Sequence, residues 1–123
     1  MLGSVLKQLL KKSPKARARD DGDWLQNATA LHQAGRHAEA AVVCRARLAS
    51  RPGDLDALQA LAAALLAQGL AADGLLCLLE AIEREPSKAE FHANVAAVYA
   101  SRGQVDAAIG SYRRALALRK DLQ

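Results

Sequence analysis

Aromatic side chains are nearly missing from this chain, with one Trp, one Phe and two Tyr among 123 residues. Packing therefore cannot rest on the large rigid anchors that concentrate energy at tight interfaces. It falls to Ala, Leu and Val, which make up most of the 51% of residues that are hydrophobic. Cysteine is also scarce. Cys44 and Cys77 form no CxxC pair and no metal-ligand spacing, so the chain does not read as an oxidised scaffold and a reducing, cytoplasmic setting is expected. No apolar run approaches the roughly 20 residues of a membrane span. The opening "MLGSVLKQLLKK" has neither the long apolar core nor the small-residue cleavage site of a secretory signal. A glycine-rich phosphate loop, an HExxH helix and paired carboxylates are likewise absent. His32, His37 and His92 lie on different elements, with no carboxylate or thiol at triad-like spacing. The chain reads as a non-enzyme without cofactor or metal.

Acid is missing from residues 1–19, which contain Lys7, Lys11, Lys12, Lys15, Arg17 and Arg19 and so carry +6, while the remainder of the chain carries −2. The net charge of +4 thus belongs to the leading tail and not to the body. Such a tail either contacts phosphate or anionic lipid or is a solvated extension. No nucleic-acid partner is expected of a slightly acidic body.

What is present is a repeat. "LHQAGRHAEA" at 31–40, "LLAQGLAADG" at 65–74 and "YASRGQVDAA" at 99–108 place Gly35, Gly69 and Gly103 at a constant interval of thirty-four residues. Ala28, Ala62 and Ala96 stand seven before these glycines, and Ala40, Gly74 and Ala108 stand five after. Leu31, Leu65 and Tyr99 stand four before, and Leu48, Ile82 and Leu116 thirteen after. Small residues recur where helices must approach closely, and larger ones fill the space beside them. Each unit reads as two short helices, the first ended by a glycine that supplies left-handed backbone. Pro52 in "RPGD" and Pro86 in "EPSK" close the second helices. Asp54 is expected to cap the next helix, and Ser87 with Glu90 fits a capping box. The spacing predicts helices near 22–34, 37–50, 55–68, 71–84, 89–102 and 105–118. Cys44 and Cys77 then fall in second helices, where a thiol acts as a small apolar group.

These residues resemble the tetratricopeptide repeat family over about residues 21–121. The likeness rests on Trp24, Ala28, Leu31, Gly35, Ala40 and Pro52; on Leu58, Leu61, Ala62, Leu65, Gly69, Ala81 and Pro86; and on Val95, Ala96, Tyr99, Gly103, Ala108 and Ala115. Departures are His92 at the large-residue position of Trp24 and Leu58, Arg47 where the other units have Ala81 and Ala115, and Lys120 in place of proline. The resemblance implies an all-α fold, an α-solenoid or right-handed superhelix of three helix-turn-helix repeats, preceded by an amphipathic helix. The implied organisation is a basic leader and linker over 1–20 and a repeat domain over 21–123, with repeats 21–54, 55–88 and 89–122.

The family likeness places a concave, partner-binding groove at Leu25, Thr29, His32 and Gln33, then Gln59, Ala63 and Leu66, then Ala93, Asn94, Ala97 and Ser101. This surface is small, apolar and nearly uncharged, and suits a peptide or an apolar helix. Relatives that clamp the C-terminal carboxylate of heat-shock chaperones use Lys, Arg and Asn there, whereas this chain has Leu25, Thr29, Ala60 and Glu90, with only Asn94 amide-bearing. Without cationic donors that ligand class is not expected. The asparagine ladder of the O-linked glucosaminyl transferase repeats is incomplete too, at Gln26, Ala60 and Asn94.

The leader has its own pattern. Leu2, Val5, Leu6, Leu9 and Leu10 fall at i, i+3, i+4, i+7 and i+8, one apolar stripe of a helix. Ser13-Pro14 is expected to end that helix, and "KARARDDGD" reads as a flexible polar link. Three uses stay open: packing on its own repeats or on a neighbouring copy, lying on an anionic membrane surface, or disorder. After Leu118 comes only "RKDLQ". The helix bearing Ile109, Tyr112 and Leu116 is therefore expected to need cover from another chain, from an exchanged leader, or from a continuation of a longer protein. The leading functional expectation is a protein–protein interaction scaffold that self-associates into a homo-oligomer. The alternatives are the recognition domain of a larger bacterial glycosyl- or sulfotransferase, and a membrane-surface adaptor held by its leader.

Overall fold

A computed structural model describes the chain over residues 14–121, with side chains over 23–120. Among the described residues the regular elements are six helices: α1 (Pro14–Gln33), α2 (His37–Ser50), α3 (Leu55–Ala67), α4 (Ala71–Arg84), α5 (Ala89–Ser101) and α6 (Val105–Asp121). They pair as three hairpins, α1–α2, α3–α4 and α5–α6, and successive hairpins stack. The three repeat glycines turn each hairpin. Gly35, Gly69 and Gly103 have φ of 80°, 80° and 76°, a region that side-chain-bearing residues enter only with strain. Each turn closes with the same bond, from the amide one residue past the glycine back to the carbonyl four before it, as in Arg36 N to Leu31 O at 2.8 Å.

Two local expectations need correction. The first helix begins at Pro14, not near residue 22, so "KARARDDGD" is helical and not a flexible link. Proline is as much at home in a first helical turn, where its missing N–H costs nothing, as it is beyond a helix end. The capping box at Ser87 also fails. The cap position of α5 is Lys88, with no side-chain cap bond, and Ser87 Oγ instead donates to Glu85 Oε1 at 2.9 Å. Asp54 does cap α3, its Oδ1 accepting from Ala57 N at 3.1 Å. The leader stripe of Leu2, Val5, Leu6, Leu9 and Leu10 lies outside the described residues.

The core is divided between the joints that connect hairpins. At the first joint Ala28, Ala40, Ala41, Cys44, Leu61, Ala64 and Leu65 form one cluster. At the second, Leu78 on α4 meets Val95 and Val98 on α5, and a separate cluster of Leu58, Ala81 and Phe91 lies beside it. Phe91, the single Phe, is 1% exposed. His92, the departure at a large-residue position, is buried at 6% exposure. Its Nε2 donates to the Pro86 carbonyl at 2.9 Å, tying α5 to the turn that precedes it. No described helix is long and apolar enough to cross a membrane.

Candidate functional site

A cleft of about 550 Å³ lies between α3 and α5. Gln59, Ala63 and Leu66 form the α3 wall, and Asn94, Ala97 and Ser101 the α5 wall. Leu78 and Ala71 of α4, with Ala62 and Val98, lie deeper. The cleft exists because the first helices of the second and third hairpins stand apart. The Cα traces of α1 and α3 come within 8 Å of one another, whereas those of α3 and α5 do not. Depth comes from Gly74. A Cβ there would lie 2.9 Å from Leu66 Cγ and 3.3 Å from the Ala62 carbonyl, so the missing side chain allows α4 to press up behind α3.

Six of the residues expected on the groove thus share one cleft: Gln59, Ala63, Leu66, Asn94, Ala97 and Ser101. Ala93 is half-buried and does not line it, and Leu25, Thr29, His32 and Gln33 lie on α1, away from it. His32 is held by its neighbour, with His32 Nδ1 2.9 Å from His37 Nδ1 and the rings meeting edge to face at 4.6 Å between centroids. The deeper residues Ala62, Ala71, Leu78 and Val98 were not anticipated as cleft lining. Ala62, Leu78 and Val98 are buried core residues, and only a separation of two helices exposes them to a groove.

The lining carries no ionisable side chain. Ser101 Oγ donates to the Val98 carbonyl at 2.8 Å. The half-buried amides of Gln59 and Asn94, on facing walls, make no hydrogen bond within the described residues. Elsewhere the groups that could carry chemistry are quiet. Burial, with the neighbouring Cys77, pushes the Cys44 thiol up to about 11 against the weaker pull of Arg45. Burial likewise raises Cys77. Neither supplies a thiolate nucleophile at neutral pH. Among the described residues no three His, Cys, Asp or Glu side chains are grouped closely enough to hold a metal ion.

The other built polar site is structural. Arg47 Nε donates to Asp54 Oδ2 at 2.8 Å, both side chains being nearly buried, and the guanidinium lies 5.4 Å from the Trp24 ring centroid. Burial works to raise the Asp54 carboxyl. Hydrogen bonds from Arg47, Ala57 N and Asp56 N, together with the Arg47 charge, outweigh it and hold the group below its usual value.

Helical hairpins stacked in register, with an uncharged cleft between first helices, define the class: an all-α repeat protein of the solenoid type. The tetratricopeptide repeat pattern matches residues 42–118, and the chain belongs to that family. No curated protein matches the sequence significantly. Among solved structures, a MamA fragment from Desulfovibrio magneticus RS-1 superposes with a TM-score of 0.80 at 17% identity, covering 98% of this chain and 69% of that one. The O-GlcNAc transferase of Thermobaculum terrenum gives 0.75 at 27% identity over 85% of this chain but 20% of the enzyme. The second TPR of Spaghetti (RPAP3), bound to the HSP90 peptide SRMEEVD, gives 0.73 at 14% identity over 85% and 99%. The chain spans little more than half of two further MamA chains, 56% and 57%.

Proposed function

We propose that this chain is a protein–protein interaction scaffold that seats a peptide or a single helix of another protein in the cleft between α3 and α5. One observation carries the reading. Gln59 and Asn94 face each other across an apolar trough with no hydrogen-bond partner among the described residues, and an amide offers both a donor and an acceptor to a passing peptide backbone. The RPAP3 domain holds its HSP90 peptide on the same fold. Here Leu25, Thr29, Ala60 and Glu90 stand at the clamp positions, so the favoured ligand is an apolar internal segment and not an acidic C-terminus.

The test is site-specific photocrosslinking in the source cell. A crosslinking residue at Ala63 or Ala97 should trap a protein that the same residue at the outer positions Ala46 or Ala72 does not, and Asn94→Ala should weaken capture. Equal adducts from both faces, or none from the cleft, would reject the reading.

A further inference from the structure

The last helix exposes a face that its counterparts hide. On α6, Val105, Ile109, Tyr112 and Leu116 are 60%, 43%, 43% and 61% exposed. Shifting back by one repeat turns Ile109, Tyr112 and Leu116 into Leu75, Leu78 and Ile82, and by two into Ala41, Cys44 and Leu48. Those positions are at least half-buried, and Leu78 and Cys44 are 2% and 0% exposed. Each earlier set is covered by the first helix of the following hairpin. Leu61, Ala64 and Leu65 of α3 cover α2, and Val95, Val98 and Tyr99 of α5 cover α4. The covering chemistry is therefore defined twice within this molecule: a helix presenting apolar side chains at i, i+3 and i+4.

Two parts of the chain could supply such a helix from a second copy. The outer face of α1 is unsuited, because exposed Asn27 stands at the register of Leu61 and Val95, and exposed Asp23 at that of Ala57 and Phe91. A head-to-tail stack on α1 would bury polar groups against α6. The leader matches. Leu2, Val5 and Leu6 form the required triplet, Leu6, Leu9 and Leu10 repeat it, and Lys7 and Lys11 fall on the opposite side of the helical wheel. A second copy is the nearer donor for α6. The chain passes directly from the leader into α1, which begins at Pro14 and makes no contact with α6. A twelve-residue helix spans only about 18 Å, leaving no chain to cross the intervening hairpins.

We infer that the leader of one copy, residues 2–10, lies as a helix on the Val105–Ile109–Tyr112–Leu116 face of a second copy, so that the chain caps itself by exchange. A stretch this short is marginal as an isolated helix, so its docking depends on the face it covers. The surface differs from the proposed peptide cleft, so either can fail without the other.

The experiment is light scattering on the full chain, with circular dichroism as the check on folding. Wild type should exceed the monomer mass. Leu6→Glu/Leu9→Glu in the leader and Ile109→Glu/Leu116→Glu on α6 should each be folded monomers, since the α6 positions are exposed. Mixing the two variants should restore a heterodimer, weaker than wild type because it keeps one contact of two. A labelled peptide of residues 1–13 should bind the leader variant and not the α6 variant. Four results would overturn the inference. They are a monomeric wild type, an α6 variant that still associates, a leader variant that still associates while the α6 variant does not (pointing to α6 pairing with α6), and a mixture that stays monomeric with no peptide binding.

Discussion

The two joints of this stack are built from the same repeat yet held by different chemistry. At the first, Arg47 on α2 reaches the capping Asp54 of α3 and lies over Trp24 of α1, so one side chain ties three helices and α1 sits close to α3. One repeat later the corresponding positions are Ala81, Lys88 and Leu58. Nothing ionic bridges them. Phe91 fills the region with Leu58 and Ala81, where the first joint has Ala57. The pinned joint is closed, and the apolar joint leaves α3 and α5 apart with the cleft between them. In a solenoid each hairpin contacts only its neighbours, so such a local exchange of a tether for a wedge can open one gap without disturbing the next.

The largest break should come from Phe91→Ala. It removes the main filler of the second joint and should cost about 3–5 kcal/mol, read as a lowered urea midpoint. An unchanged midpoint would show that the cluster contributes little. Next is Asp54→Ala, which deletes a helix cap and the ion pair with Arg47, for about 2 kcal/mol. The same group sets a pH dependence. A carboxyl held below its ordinary value of about 3.9 contributes stability that is present above that value and lost as the pH falls through the folded one. Asp54→Asn, which keeps the cap acceptor, should therefore be destabilised at neutral pH and lose less on acidification than wild type. Parallel loss in both proteins would refute the tether.

Gly74→Ala should cost about 1–2 kcal/mol by forcing Leu66 and the Ala62 carbonyl away from α4, and it should alter the cleft wall. Gly110→Ala is the counterpart beyond both joints. Nothing lies within 4 Å of a Cβ there, so helix propensity alone should raise stability by about 0.5–1 kcal/mol. A loss at Gly110 would mean that something covers it in solution.

The hairpins were legible because the repeat glycines impose backbone that only glycine adopts cheaply, and the thirty-four-residue interval carries every other position with it. Asp54 was legible as a cap because it stands directly before an apolar run. Ser87 misled because its residue type fits a cap, while the helix begins two residues later, at Ala89. Pro14 misled because the same ring ends one helix and begins another. Arg47 was visible as a departure, but its role depends on Trp24 and Asp54 meeting in space. The cleft was half legible. The register placed Gln59, Ala63, Leu66, Asn94, Ala97 and Ser101 on first helices, but how far α3 stands from α5 depends on which side chains fill the joint.

The single Trp belongs to the tethered joint, while both Tyr belong to the third hairpin. Unmodified protein thus carries two kinds of natural fluorophore at opposite ends of the stack. Indole emission reports whether the front of the molecule is intact, and phenol emission reports on the rear. Heating or titrating with denaturant while following both would show whether the molecule melts as one body or peels from one end.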